Sequence, residues 1–302
     1  MSGVVVVGSI NADLGVRVAR HPKPGETLLG AGGGITPGGK GANQALAASL
    51  QGADVTMIGA VGSDPYAAPA TTLLRESGVN LDAVDITGET TGLAVIAVAD
   101  DGENTIIFVP GANATVTDEQ VRQHADALRE AEITLLQGEI PASGFAAATE
   151  LAGGRVVVNL APVIDVPRDA LLKADPIMAN EHEAGLILEQ LGVQAATEEP
   201  RELATALLEA GFTSVVLTLG AHGALVATPE KIMDIPTPKV QAVDTTGAGD
   251  AFAGAFVARL LAGDDMVAAA RHAARVGAFT TLSAGAQNSY PGLAAVLPEV
   301  QG

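Results

Sequence analysis

The sequence predicts an α/β protein: a mainly parallel sheet covered by helices on both faces, with a small antiparallel flap added near the amino end. Three observations predict it. Short, wholly apolar runs alternate with Ala-rich helical stretches almost to the end of the chain, the pattern of parallel strands buried on both faces. Two early regions break that alternation with paired β-like segments. And 48% of the 302 residues are apolar although there are only 6 Phe, 2 Tyr and no Trp, so Ala, Val, Leu and Ile must build the core. A chain of this length can bury roughly three quarters of its unfolded surface.

The elements follow in order. Val4–Val7 reads as a strand, four β-branched residues ending at Gly8. A helix over Asn43–Leu50, a strand over Val55–Ile58 and a helix over Tyr66–Ser77 come next. Thr117 and Gln120 have the spacing of a capping box, which predicts one helix running to about Ala131. Strands are expected at Thr134–Leu136, Val156–Leu160, Pro176–Ala179 and Val215–Leu219. Helices fall near Ala142–Leu151, Glu181–Leu191, Glu202–Ala210 and Ala251–Leu261. The flap comes from residues 14–36, Gly-rich around Gly32–Gly34, and from 92–110, where Asp101-Gly102 between apolar runs signals a hairpin.

Charge and composition exclude several functions. Sixteen Lys and Arg against 35 Asp and Glu give a formal net charge of −19, which repels phosphate backbones, and few aromatics remain for stacking on bases, so no nucleic-acid partner is expected. Without Cys there is no disulfide, thiolate nucleophile or thiolate metal site. No apolar stretch is long enough to span a bilayer, so no membrane partner is expected either. The opening residues have no basic region and too short an apolar run for a signal peptide, which predicts a cytoplasmic protein. The five His residues show no metal-ligand spacing, and no Gly-x-Ser-x-Gly elbow is present.

The chemistry concentrates in a few places. In Asp244-Thr245-Thr246-Gly247-Ala248-Gly249-Asp250, small residues open a helix and leave backbone N–H groups exposed to an anion. Asp250 in that first turn would sit beside the anion, as a base activating a phosphoryl acceptor must. The same string also suits an ordinary helix start with a favourable charge. Gly38-Gly39-Lys40-Gly41-Ala42-Asn43 superficially matches a phosphate-binding P-loop counted from Gly34. Gly41 stands where the magnesium-holding hydroxyl belongs, so the string reads instead as a tight turn approaching a small polar ligand. Asn11 and Asp13 alternate after the first strand and would face the same way, able to grip a pair of hydroxyls. Glu139, Asn180 with Glu183, and the segment Thr218–Gly223 follow later strands at their carboxyl ends. Each of these has a bland structural reading. Their common address at one end of the sheet carries the argument.

Taken together, these motifs, with Pro110-Gly111-Ala112-Asn113-Ala114, resemble those of the ribokinase-like carbohydrate kinases in order and spacing over essentially the whole chain. The resemblance implies a single ribokinase-like domain over residues 1–302, a three-layer α/β/α sandwich with a β lid, forming a homodimer through that lid. It implies ATP-dependent phosphorylation of D-ribose at its primary hydroxyl, with Asp250 as general base and the amides of Gly247, Ala248 and Gly249 as the anion hole. The sugar would be held by Asn11, Asp13, Gly39, Lys40, Gly41, Asn43, Glu139 and Asp250. The nucleotide, with Mg2+, would meet Asn180, Glu183, Thr218, Gly220, Ala221, His222, Gly223 and Gly249. Ala274 stands where relatives often carry Asn or His near the adenine. An activating K+ would be bound by Asp244, Thr246, Thr280, Ser283, Gly285 and Ser289. Another pentose, deoxyribose or a nucleoside as substrate, and a non-catalytic sugar- or nucleotide-binding regulator, remain the alternatives.

Overall fold

The computed structural model describes residues 3–194 and 197–301. Its first half runs β1 (Val4–Val7), β2 (Asn11–Val18), β3 (Gly30–Gly38), α1 (Lys40–Leu50), β4 (Val55–Gly62), α2 (Ala67–Glu76), β5 (Asn80–Thr87), β6 (Gly92–Ala99) and β7 (Asn104–Val109). After a single 3-10 turn at Gly111–Thr115 come α3 (Asp118–Gln123), α4 (Ala125–Glu130), β8 (Ile133–Gln137), α5 (Ala142–Leu151), β9 (Arg155–Asn159) and α6 (Arg168–Leu171). The last part holds β10 (Ile177–Asn180), α7 (Glu181–Gln190), α8 (Pro200–Ala210), β11 (Val215–Thr218), β12 (Ala224–Thr228), β13 (Lys231–Ile235), α9 (Ala248–Leu261) and α10 (Met266–Thr280).

Nine strands form one sheet in the order β13-β12-β11-β10-β9-β8-β1-β4-β5. From β11 to β5 the pairs are parallel, while β12 and β13 form antiparallel extensions at one edge. Alternation in β1 explains the layers. Val4 and Val6 enter one apolar cluster with α1, α9 and α10, and Val5 and Val7 enter another with α5, α7 and α8. Both faces are therefore cores, as an all-apolar strand requires. Phe256 anchors the first and Phe145 the second, each fully buried, and truncating either to Ala would cost about 3–5 kcal/mol.

The flap is a four-stranded sheet in the order β3-β2-β6-β7. Its outer pairs are antiparallel and its central pair, β2 with β6, runs parallel. The predicted hairpin is present: Ala99 N–H donates to Glu103 O at 2.9 Å around Gly102.

One predicted element differs. The helix expected from Thr117 to Ala131 is broken at His124, and Thr117 makes no side-chain cap. Gln120 does not reach back to close a capping box. The Thr117 N–H that it would accept goes to the Thr115 carbonyl at 2.7 Å. The Gln120 NH2 donates to the Gly59 carbonyl at 3.3 Å and Asp118 N–H to the Ser143 hydroxyl, so a local turn and tertiary partners together displace the box. The β12–β13 hairpin, β5 and α10 are elements that the alternation of apolar runs did not single out.

Candidate active site

The strands β1, β8, β9, β10 and β11 point their carboxyl ends toward one cleft, where an open parallel sheet gathers ligands. Three cavities lie there. The first, about 720 Å3, is lined by Asn11, Asp13, Gly39, Lys40, Asn43, Glu139, Gly247 and Asp250 among others. A second, about 480 Å3, is lined by Asn180, Thr218, Gly220, Ala221, Gly223, Ala248, Gly249 and Ala274, with Glu181, Lys239, three more threonines and further apolar residues. A third of about 170 Å3 shares Lys40, Gly247 and Asp250 with the first and Asn180, Thr218 and Gly249 with the second, and adds Glu183.

Asp250 stands at the junction, in the first turn of α9 and 7% exposed. Burying a carboxylate is costly unless hydrogen bonds replace its water. Here Asn43 Nδ2 donates to Oδ2 at 2.9 Å and Gln44 Nε2 to Oδ1 at 2.8 Å. The helix begins at Gly247, whose φ of 75° is left-handed. A Cβ there would lie 2.6 Å from both the Ala286 Cβ and the Tyr290 Oη, so only glycine fits. Tyr290 Oη donates to the Gly247 carbonyl at 3.1 Å. Burial holds this phenol well above its usual pKa, with the charges of Asp250 and Asp13 adding to the effect, so it stays a donor. Of the three anion-hole candidates, Ala248 turns its N–H back to the Thr245 carbonyl at 3.2 Å. The amides of Gly247 and Gly249 make no hydrogen bond among the described residues, which leaves them for an anion.

In the first cavity, Asn11 and Asp13 share one face of β2. Asn113 Nδ2 donates to Asn11 Oδ1 at 2.7 Å and Asn113 Oδ1 accepts Ile10 N–H at 2.9 Å, an arrangement that leaves the Asn11 NH2 for a ligand. Asp13 Oδ1 is buried with no hydrogen-bond partner among the described residues. Burial first, then Glu139 and Asp250, push the Asp13 carboxyl up to about 6. An orphaned acceptor with a reluctant charge suits a ligand hydroxyl. Glu139 Oε2 accepts the Ser9 hydroxyl and the Lys40 N–H, yet burial still holds its carboxyl above the usual value. The Lys40 ammonium is held above its ordinary value by Asp250 first, against burial, with Glu139 and Glu183 contributing. Ala94, Ile96, Ile106 and Phe108 of the flap complete the roof. Ala94 pairs with Phe108 and Ile96 with Ile106 across β6 and β7, so period-two alternation turns one apolar face of the flap onto the cavity.

Asn180 and Glu183 form a full capping box on α7: Asn180 Oδ1 accepts Glu183 N–H at 2.8 Å and Glu183 Oε2 accepts Asn180 N–H at 2.9 Å. Glu183 is raised by burial, despite the Asn180 N–H and the Lys40 charge. Its second oxygen makes no hydrogen bond among the described residues and remains for a cation. Among the described residues no three His, Cys, Asp or Glu side chains cluster with metal-binding geometry.

The cation candidates divide. Asp244 Oδ1 accepts the Thr246 N–H and hydroxyl at 2.9 and 2.6 Å, and Oδ2 accepts Gly285 N–H at 2.8 Å. Ser289 Oγ donates to the Gly285 and Ala286 carbonyls. Burial alone would raise Asp244, but these donors outweigh it and hold the carboxyl below its usual range. One carboxylate among hydroxyl and carbonyl oxygens suits a hard, singly charged ion. Thr280 instead commits its hydroxyl to the Val276 carbonyl within α10, and the Ser283 N–H meets only the Thr280 carbonyl, at 3.5 Å, among the described residues.

Two of the sugar and nucleotide candidates lie off the cavities. Gly41 is buried against Ser9, its N–H donating to the Ser9 Oγ at 3.3 Å, and it lines neither large cavity. His222 is exposed and lines none of the three. Sequence reasoning missed Gln44, Gln137 and Asn159, the flap's apolar roof, and Thr237, Pro238, Lys239 and Val240 beside the second cavity, and it gave Asn113 no role although its motif was noted. Gln44 directly follows Asn43, and Gln137 ends a strand two residues before Glu139, so the end-of-strand address was the available signal.

The family model for the pfkB carbohydrate kinases matches residues 1–293. The chain belongs to the pfkB family of carbohydrate kinases. A ribokinase of Haemophilus influenzae is 37% identical over 293 residues, which cover 95% of each chain. A deoxyribokinase of Salmonella typhi is 32% identical over 296 residues, covering 96% of each. The structure of Arabidopsis thaliana ribokinase complexed with ribose and ATP is similar to this pfkB kinase at TM-score 0.87 and 32% identity, covering 97% of this chain and 96% of that one.

Proposed function

We propose that this kinase transfers the γ-phosphoryl group of ATP to the primary hydroxyl of D-ribose, giving ribose 5-phosphate and ADP. The observation that carries the reading is a buried, doubly hydrogen-bonded carboxylate, Asp250, beside unpaired helix-start amides at the junction of a polar cavity and a small-residue cavity. The relatives named above supply the sugar class. In the first cavity, Asp13 accepts from ring hydroxyls, while Asn11, Lys40 and Asn43 donate and Glu139 closes the far side. The sugar's primary hydroxyl gives its proton to Asp250 as its oxygen bonds to the γ-phosphorus. The bond from that phosphorus to the β,γ-bridging oxygen breaks, and ADP leaves with the electron pair. Amides of Gly247 and Gly249 meet the negative charge on the transferring group.

Mg2+ on the ATP phosphates supplies charge neutralisation, and Glu183 with Asn180 would hold it. Asp244, Thr246, Gly285 and Ser289 would bind the activating K+. Local cations and amides thus offset a net charge of −19 that otherwise disfavours a nucleotide. Ala274 leaves the base to apolar packing. The exposed outer side chains of the flap, Ile107 and Val109 among them, support a homodimer formed through it, and an ATP-dependent reaction suits the cytoplasm. Deoxyribose is the second reading, favoured by the deoxyribokinase relative. ADP release measured over a panel of pentoses, deoxyribose and nucleosides tests the first reading. D-Ribose is expected to give the highest kcat/KM, and deoxyribose or a nucleoside far ahead of ribose would overturn it.

A further inference from the structure

We propose that Gln44, held in place by Gln137 and Asn159, is a positioning residue that fixes the plane of the Asp250 carboxylate for proton abstraction. The proposal rests on the reading of Asp250 as the base. It begins with a close helix crossing. A Cβ on Gly254, one turn after Asp250, would lie 2.5 Å from the Ala47 Cβ and from the Gln44 carbonyl oxygen. Only glycine at that point lets α1 approach α9 closely enough for two consecutive amide side chains to reach one carboxylate.

The two amides do different work. Asn43 lines the sugar cavity and is itself held by Gln287, whose Nε2 donates to Asn43 Oδ1 at 2.9 Å. Gln44 is fully buried and lines none of the three cavities. Its Nε2 donates to Asp250 Oδ1 at 2.8 Å and to Asn159 Oδ1 at 2.9 Å, and its Oε1 accepts from Gln137 Nε2 at 2.8 Å. Asn159 is fixed in turn by donating to the Met178 carbonyl at 3.2 Å. This wiring admits only one orientation of the Gln44 amide. Turned over, it would set its oxygen against two acceptors and its NH2 against another NH2.

Asn43 alone restrains Oδ2 and leaves the carboxylate free to rotate about its Cβ–Cγ bond. Asp13, Glu139 and Glu183 all bear charge on Asp250, so an unheld carboxylate would also be pushed by its neighbours. A second donor on Oδ1, itself locked from β8 and β9, removes that freedom. Transfer needs the base within a narrow approach to the hydroxyl, and Gln44 supplies the alignment without touching substrate.

The test compares Gln44→Met and Gln137→Met with Asp250→Asn in one assay, with ribose affinity measured by calorimetry. Gln44→Met keeps length and burial and removes the donors. Its kcat is expected to fall about 10- to 100-fold, with the KM for ribose and for ATP and the ribose affinity all within about twofold of wild type. Gln137→Met, which leaves Gln44 present but unheld, gives a smaller fall with the same split. Wild-type kcat in both, alongside an inactive Asp250→Asn, overturns the positioning role and leaves the base intact. A raised KM with unchanged kcat overturns it equally. Should Gln44→Met bind no ribose, Gln137→Met decides by the same criteria. Retained turnover in Asp250→Asn instead removes the reading on which the proposal rests.

Discussion

The two halves of the cleft are built by different means. On the sugar side, buried side chains hold one another: Asn113 sets Asn11, Gln44 and Asn43 set Asp250, and Ser9 and the Lys40 amide set Glu139. On the nucleotide side a large share of the wall is small residues, Ala242, Ala248, Gly249, Ala274, Gly277 and Ala278, whose backbone path shapes the cavity, with Glu181, Thr237 and Lys239 among the polar exceptions. A polyol that differs from its competitors by single hydroxyls must be read by fixed polar groups, since leaving such a group unpaired is what rejects the wrong sugar. A flat base and a phosphate chain can be met by apolar shape and N–H groups. The difference implies that substitutions on the sugar side act through chemistry and those on the nucleotide side through fit.

Four substitutions or conditions can break that contrast. The largest effect belongs to Asp250→Asn, which lowers kcat by about two to four orders of magnitude in line with loss of a general base; turnover with saturating ribose and ATP measures it. Next, Gly247→Ala forces a left-handed φ on a residue with a Cβ and drives that Cβ into Ala286 and Tyr290. Displacing an anion-hole amide costs about 100-fold in kcat, and calorimetry should show ribose binding retained.

Third comes pH. The folded-state pKa of Asp13 is raised to about 6, so the carboxylate proposed to accept sugar hydroxyls is lost as pH falls through 6. Ribose KM is expected to rise by roughly tenfold between pH 7.5 and 5, a dependence that Asp13→Asn abolishes along with tight ribose binding. The sign for stability is opposite. A raised carboxyl pKa means the folded state holds its proton more tightly, so Asp13 contributes stability at low pH that is lost as pH rises through 6. Thermal melts of wild type and Asp13→Asn in the absence of ribose measure that term. The smallest effect is expected from Ala274→Val, which intrudes on the nucleotide cavity with one or two methyl groups. ATP KM should rise by about 3- to 10-fold with ribose KM unchanged; an equal rise in both would erase the distinction between the halves.

The same contrast governs what could be read before the fold was known. Val4–Val7 and its fellow strands were legible because burial on both faces leaves no polar position to confuse the period. The polar residues that line the first cavity were legible because polar side chains recur at strand ends. Gln44 and Gln137 sit among them but look like ordinary amides; their role depends on a helix crossing at Gly254 that no local pattern encodes. Of the second cavity's small residues, Ala248, Gly249 and Ala274 were singled out, but Gly277 and Ala278 were not, because Ala and Gly within α10 read as filler. The capping box at Thr117 failed because the Thr117 N–H that Gln120 would accept goes to the Thr115 carbonyl, while the Gln120 NH2 donates to β4, 61 residues away in sequence.

The most direct test of the central claim is ADP formation by the wild-type protein in Mg2+ and K+ buffer, with D-ribose present or omitted, and the sugar product identified by NMR. Ribose-dependent ADP release with stoichiometric ribose 5-phosphate is the predicted result. Tight ribose binding with ADP formation no faster than in its absence would contradict it, and would recast the cleft as that of a sugar-binding regulator.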